Sequence, residues 1–273
     1  MIDAYGIHLG PLYIRFYGMI LISGAAAAAY LAASMMKRTG RDPDVVWDAL
    51  LWALGFGIIG ARLYHILTPS KTLLDMGIDT RYYLTHPLDI LFTWRGGLGM
   101  PGALIGGVFG LYLFARRRKL NLAELLDVAA PGVALAQGIG RWGNFVNQEL
   151  YGPPSNLPWA IYIRPENRMP GYESFDRFHP LFLYESIWNL ALAGVLYWVW
   201  RNHRARFHPP DLFLLYVAGY SVGRFLLEFL RLDYVPYFGI NFNQGVALVG
   251  AIVCAAIVII RQRASSRQPP AAS

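Results

Sequence analysis

The sequence is short of charge, of cysteine and of lysine. Only 15% of its 273 residues are charged and 55% are hydrophobic, whereas an ordinary soluble domain carries about 25% charged residues. With a mean hydropathy of +0.35, that balance excludes a string of soluble domains and predicts an integral membrane protein. The one cysteine, Cys254, excludes an intrachain disulfide and is read as packing within its apolar run. The six histidines are scattered and no Cys/His cluster has ligand spacing, so neither a metal nor a cofactor is expected. Of 24 basic residues only Lys37, Lys71 and Lys119 are lysines. None lies inside a span, which leaves no Schiff-base lysine for a retinal. Residues 1–5 lack a basic n-region and a cleavage signature, so no signal peptide is expected.

The formal net charge is +7, but its distribution argues against nucleic acid as a partner. Thirteen basic residues fall in four clusters: Lys37, Arg38, Arg41; Arg116, Arg117, Arg118, Lys119; Arg201, Arg204, Arg206; and Arg261, Arg263, Arg267. Each cluster follows an apolar run, as cytoplasmic loops do.

The apolar runs predict an all-α integral membrane fold of seven transmembrane helices, each long enough for a hydrocarbon core of about 30 Å. The expected spans cover about 12–36, 45–67, 97–115, 122–139, 181–200, 212–230 and 245–260. The basic clusters then set the N-terminus outside and the C-terminus inside. Residues 1–144 hold a short arm and spans 1–4, and 145–178 form a small extracytoplasmic head with a short strand in 159–163. Residues 179–260 carry spans 5–7, and the Ser/Pro/Ala-rich 261–273 form a disordered cytoplasmic tail. The connection 68–95 has a middle expected on the membrane surface. Pro131 is expected to kink span 4. Gly102, Gly106 and Gly110, spaced by four, make a helix-contact face or let a substrate approach the backbone closely.

The most polar stretch at the end of an apolar run is Gly140 to Gly152. It reads either as a capped helix terminus turning into a loop or as a functional site at the membrane boundary. Span 6 carries a second polar set, Tyr220, Arg224, Glu228 and Arg231. Their spacing puts them on one helical face. Arg224 and Glu228 either pair with one another or look into a wet cavity. A charge inside a span costs about 2.5–3.5 kcal/mol at the helix centre, which favours the cavity. Chain direction brings Tyr17, Arg62, Arg141, Asn144, Glu149, Tyr220 and Arg224 towards one site in the outer half of the bundle. Its cations are all arginines, whose planar fork suits phosphate oxygens. The inferred ligand is a phosphate at membrane depth, a phospholipid headgroup.

The run Gly140-Arg141-Trp142-Gly143-Asn144-Phe145-Val146-Asn147-Gln148-Glu149 followed by Gly152 resembles the signature of bacterial prolipoprotein diacylglyceryl transferases. Arg15-Phe16-Tyr17-Gly18, Gly60-Ala61-Arg62, Asp127 to Pro131, His179 to Glu185 and Tyr220 to Arg231 are similar to further motifs of that family, with Ser221 in place of a glycine. The resemblance covers nearly the whole chain. It implies a multi-pass enzyme of the bacterial cytoplasmic membrane, with its active site towards the extracytoplasmic half. That enzyme moves the diacylglyceryl group of phosphatidylglycerol to the lipobox cysteine thiol of a preprolipoprotein and releases glycerol 1-phosphate. It further implies that Arg141 and Arg224 are catalytic. Asn144, Asn147, Glu149 and Gly152 would shape the headgroup site, and Tyr17 and Tyr220 would supply hydroxyl donors. Arg62, His179, Glu228 and Arg231 complete the expected substrate-binding set.

The chain departs from the family at Pro101, where a histidine is usual at the glycine-rich start of span 3, and around Asn243-Gln244-Gly245. Proline accepts no proton. Three routes to the thiolate follow: arginines that lower the thiol pKa, another base such as His179 or Glu149, or a homologue with changed or lost activity. The first is favoured. Two readings from other classes compete: a seven-span carrier or channel for a phosphorylated or anionic solute, and a scaffold whose arginines anchor lipid headgroups.

Overall fold

The computed structural model describes residues 3–10, 12–91, 97–232, 236–237 and 240–265. Among them six helices are long and apolar enough to cross a membrane. They are α1 (Phe16–Arg38), α2 (Asp44–Leu67), α7 (Leu122–Asn147), α8 (Leu181–His203), α9 (Asp211–Leu227) and α10 (Phe242–Ser265). The third expected span is α6 (Met100–Arg118), which is not among the six. Its glycines and three terminal arginines dilute its apolar character. Pro101 sits in its first turn behind the N-cap Gly99, where a missing N–H leaves no helical bond unmade.

Several boundaries differ from those read in the sequence. Residues 12–15 belong to a hairpin, β1 (Gly6–Leu9) with β2 (Leu12–Arg15), and Asp3 fixes the turn that leads into β1. The Asp3 carboxylate accepts the amides of Tyr5 at 2.8 Å and Gly6 at 2.7 Å. The connection after α2 carries three short helices, α3 (Lys71–Asp75), α4 (Thr80–Thr85) and α5 (Pro87–Leu91). Helix α7 does not end before the polar signature but runs through it to Asn147. The last helix continues to Ser265, so 261–265 are not a disordered tail, and 266–273 lie outside the described residues. Pro131 lies within α7.

The chain divides into two compact units, 1–32 with 126–273 and 33–125. In the second unit α2 and α6 pack backbone to backbone. A Cβ on Gly102 would lie 2.1 Å from the Gly60 carbonyl oxygen, and one on Gly106 2.2 Å from that of Phe56. The recurrent glycines are therefore a helix contact, the first of the two readings.

In the first unit α7, α8 and α9 surround a core of Ala130, Ala134, Ala193, Leu196, Leu212 and Tyr216. Small residues bring these helices together. Gly138 faces Leu190, and the Ser186 hydroxyl donates to the Gly138 carbonyl at 2.8 Å. The Trp188 indole donates to the Gly219 carbonyl at 2.9 Å and fills the space beside Gly223. The head contains β3 (Ile161–Tyr162), paired antiparallel with β4 (Arg177–Phe178), over a small core of Tyr151, Ile163 and Phe178. The expected strand is thus present, two residues long.

Candidate active site

The helix contacts in the first unit fix where its charged groups meet. Ser186 ties the first turns of α8 to α7, and Trp188 ties the next turn to α9. Glu185 is therefore held between Arg141 and Arg224. The Arg141 Nε pairs with Glu185 Oε2, and Arg224 Nη1 lies 3.3 Å from Glu185 Oε1. Arg224 reaches further, with Nη2 2.9 Å from Glu228 Oε2, and Arg231 Nε stands 3.9 Å from the same oxygen. Two side-chain amides, from Asn241 at 3.2 Å and Asn243 at 3.5 Å, donate to Glu228 Oε1. Both carboxylates are buried. The arginine side chains keep 21% and 19% exposure.

The signature forms the next ring of contacts. Arg141 Nη1 donates to Asn144 Oδ1 at 3.3 Å, and the Asn144 amide donates to Glu149 Oε1 at 2.9 Å. Asn147 donates to the same oxygen at 3.3 Å. The chain turns back here because Gln148 and Leu150 adopt φ values of 53° and 54°. That left-handed pair lets the Glu149 amide close on the Asn144 carbonyl at 3.0 Å. Gly152 slips between His179 and Leu230: its amide donates to the His179 carbonyl at 3.0 Å, and a Cβ would meet the His179 Cβ at 2.9 Å. Tyr17, at the start of α1, lies over Gly143, where a Cβ would come within 2.6 Å of its ring. Beside this turn a cavity of about 350 Å³ is lined by Asn147, Glu149, Tyr151 and Asn167 among others. Burial pushes the Tyr151 hydroxyl above the ordinary tyrosine value, so it stays a proton donor, to the Asn167 carbonyl at 2.9 Å.

The structure thus gathers Arg141, Asn144, Asn147, Glu149, Arg224, Glu228 and Arg231 into one linked network, with Tyr17 against its helix. Three expected residues stand elsewhere. Tyr220 packs against the helical core, with its ring 6.1 Å from that of Tyr216. His179 Nδ1 meets the Tyr184 hydroxyl at 3.1 Å, and that oxygen takes the Trp159 indole N–H at 2.8 Å. It joins the head to α8. Arg62 belongs to the other unit and is buried there. Its Nε donates to the Ile90 carbonyl at 2.8 Å, Nη1 to that of Gly97 at 3.0 Å, and Nη2 to that of Asp89.

Glu185 is the main residue that sequence reasoning missed. Its signal was available: a carboxylate in the run Leu183-Tyr184-Glu185-Ser186-Ile187-Trp188 stands inside a span just as Arg224 does. Chemically, the arrangement offers two guanidinium groups, from separate helices, already gripping the two oxygens of one resident anion. Among the described residues no group of three or more His, Cys, Asp or Glu is placed to hold a metal ion.

The family model described as prolipoprotein diacylglyceryl transferase matches residues 4–260. A phosphatidylglycerol–prolipoprotein diacylglyceryl transferase of Frankia alni is 42% identical over 94% of this chain and 66% of its own length. That of Frankia casuarinae is 42% identical over 92% and 60%. A Streptomyces coelicolor protein of the same name, numbered 2, is 39% identical over 91% and 77%. The chain therefore spans just under two thirds of the length of the two Frankia relatives.

Proposed function

Because the chain belongs to the prolipoprotein diacylglyceryl transferase family, we propose that it transfers the diacylglyceryl group of phosphatidylglycerol to the thiol of a lipobox cysteine. The acceptor is the signal peptide of a preprolipoprotein, glycerol 1-phosphate is released, and the step is the first in lipoprotein lipidation. The observation that carries this reading is the convergence of Arg141 and Arg224 on one anion, Glu185. A phosphate oxygen pair replaces the carboxylate pair in the same grip. As sulfur displaces phosphate at the glycerol carbon, the leaving group gains negative charge. Guanidinium donors aimed at that charge stabilise the transition state more than the ground state.

In this reading Asn144, Asn147 and Glu149 hold the glycerol hydroxyls of the headgroup, beside the cavity at the end of α7. Tyr17 lines the approach. Gly152 keeps the turn tight enough for that arrangement, and Glu228 orients Arg224 and Arg231. Arg62 and His179 act through the backbone and the head–helix joint, and Tyr220 supports α9 from the core. Helix α6 is a seventh span, shortened and small-faced, and the basic clusters face the cytoplasm. The N-terminus and the site then lie on the extracytoplasmic side of the inner membrane.

The test is direct. Purified protein is incubated with phosphatidylglycerol and a lipobox peptide, and the peptide is weighed by mass spectrometry. The reading requires a diacylglyceryl adduct on cysteine in the wild type and its loss in Arg141→Ala and Arg224→Ala. Anion uptake into liposomes without any adduct contradicts it.

A further inference from the structure

The signature supplies only part of the lining of the cavity at the end of α7. The rest comes from the head, where Asn167 closes the short turn Pro165–Asn167. We infer that Asn167 selects the donor lipid: its side-chain oxygen accepts the terminal hydroxyl of a glycerol headgroup. This rests on the transferase reading and names a residue that reads the donor.

The orientation of the Asn167 amide follows from its neighbours. Backbone groups identify both ends of the Gln148 side chain. Its Nε2 donates to the Tyr162 carbonyl at 3.4 Å, and its Oε1 accepts the Arg164 N–H at 3.0 Å. The Asn167 atom 3.2 Å from that same oxygen is therefore the amide nitrogen, Nδ2. Nδ2 also donates to the Tyr5 hydroxyl at 3.3 Å, where Arg164 Nη1 donates at 3.3 Å too. The backbone of Asn167 is fixed as well. Its N–H donates to the Arg164 carbonyl at 2.9 Å, and its carbonyl accepts the Tyr151 hydroxyl at 2.9 Å. Every side-chain bond of Asn167 is thus made by its nitrogen, and among the described residues nothing donates to Oδ1.

Glu149 is left in the same state. The amides of Asn144 and Asn147 both donate to Oε1, and among the described residues nothing donates to Oε2. One cavity of about 350 Å³ is therefore lined by two side chains, one from the end of α7 and one from the head, each with an oxygen still able to accept. Its ligand must bring donors, and a glycerol headgroup brings two hydroxyls on neighbouring carbons. Glu149 is joined to Arg141 through Asn144, so it takes the hydroxyl next to the phosphate. Asn167 takes the terminal one. A site built to bond a hydroxyl disfavours the analogue that lacks it, because its own acceptor is then left unpaired.

The experiment compares two donors in vesicles: phosphatidylglycerol, and phosphatidylpropane-1,2-diol, the same lipid without its terminal hydroxyl. Initial rates of adduct formation on a lipobox peptide are measured for the wild type and Asn167→Ala. One neutral hydrogen bond corresponds to a preference of about 2- to 12-fold. The wild type is expected to favour phosphatidylglycerol by that factor in kcat/KM, and Asn167→Ala to use both donors equally. A merely structural Asn167 would slow both donors alike and leave the preference in place, which overturns the inference. So does a variant that keeps the preference and raises KM for the peptide, since the cavity then serves the acceptor. Should Asn167→Ala fail to fold, Asn167→Ser, with a shorter polar side chain, takes its place in the same comparison.

The wild type alone separates the two levels of the account. Activity with no preference between the donors overturns the inference and leaves the transferase reading standing. No adduct from either donor overturns both.

Discussion

The two units of this protein each hold arginine within an apolar helix, and they spend it differently. Arg62 gives its donors to the backbone carbonyls of Asp89, Ile90 and Gly97. Arg141 and Arg224 give theirs to side-chain carboxylates, and keep about a fifth of each side chain exposed. Backbone acceptors are fixed, neutral and part of the fold. A guanidinium bound to them is committed to holding a loop in place. A carboxylate is a mobile anion, and a guanidinium bound to it can exchange one anion for another. The acceptor, more than the arginine's burial, separates a structural cation from a working one.

That contrast is sharpest in substitution. Arg141→Ala or Arg224→Ala is expected to lower adduct formation by about 100–1,000-fold, the loss typical of one preorganised donor, and to lower the melting temperature as well, since each removes a cation from a buried carboxylate. Arg62→Ala is expected to lower stability alone. It orphans buried carbonyls at about 1–3 kcal/mol each, so the melting temperature falls while the folded fraction keeps its turnover. A melting temperature unchanged by Arg62→Ala, with transfer abolished, would erase the distinction.

The glycines extend the comparison with a smaller effect. Gly106→Ala places a methyl against the Phe56 carbonyl and should destabilise by about 1–3 kcal/mol, read in a thermal melt. Gly143→Ala meets the Tyr17 ring first, a side chain rather than backbone, so turnover falls more than stability.

The smallest expected effect is at the N-terminal hairpin. Asp3 accepts backbone N–H bonds, first of all from Tyr5, which holds its carboxyl below the ordinary value. A lowered folded value stabilises the turn above the unfolded value of about 3.9 and is lost as pH falls through the folded one. Amide exchange at Tyr5 and Gly6 should therefore be protected at pH 6 and lose protection only below about pH 4. Protection that is already lost at pH 6 would contradict this.

Much of this was legible in the chain. Low charge and long apolar runs mark a helical membrane protein, and the i, i+4, i+7 spacing from Arg224 to Arg231 survives as a run of ion pairs on Glu228. The signature arginine and Arg224 could be assigned to different helices from sequence distance alone. What could not be read is who holds whom. Glu185 is 44 residues from Arg141 and 39 from Arg224 in sequence. It meets them because Ser186, Gly138, Trp188 and Gly219 lock three helices at one register. Gly140 and Gly143 suggested a turn, yet the helix runs on through them, since Gly143 makes room for Tyr17 rather than for a bend. Arg62 looked like a ligand because its three backbone acceptors lie 27 to 35 residues away and carry no signal of their own.

The most direct measurement is a magnetic-resonance distance. Protein with ¹⁵N-labelled arginine, loaded with phosphatidylglycerol, is tested for dipolar contact between guanidinium nitrogen and lipid phosphorus. Contact is predicted in the wild type, diminished in Arg141→Lys and in Arg224→Lys, and absent in the double variant. Contact that both single variants leave untouched would mean that these two side chains do not share the phosphate.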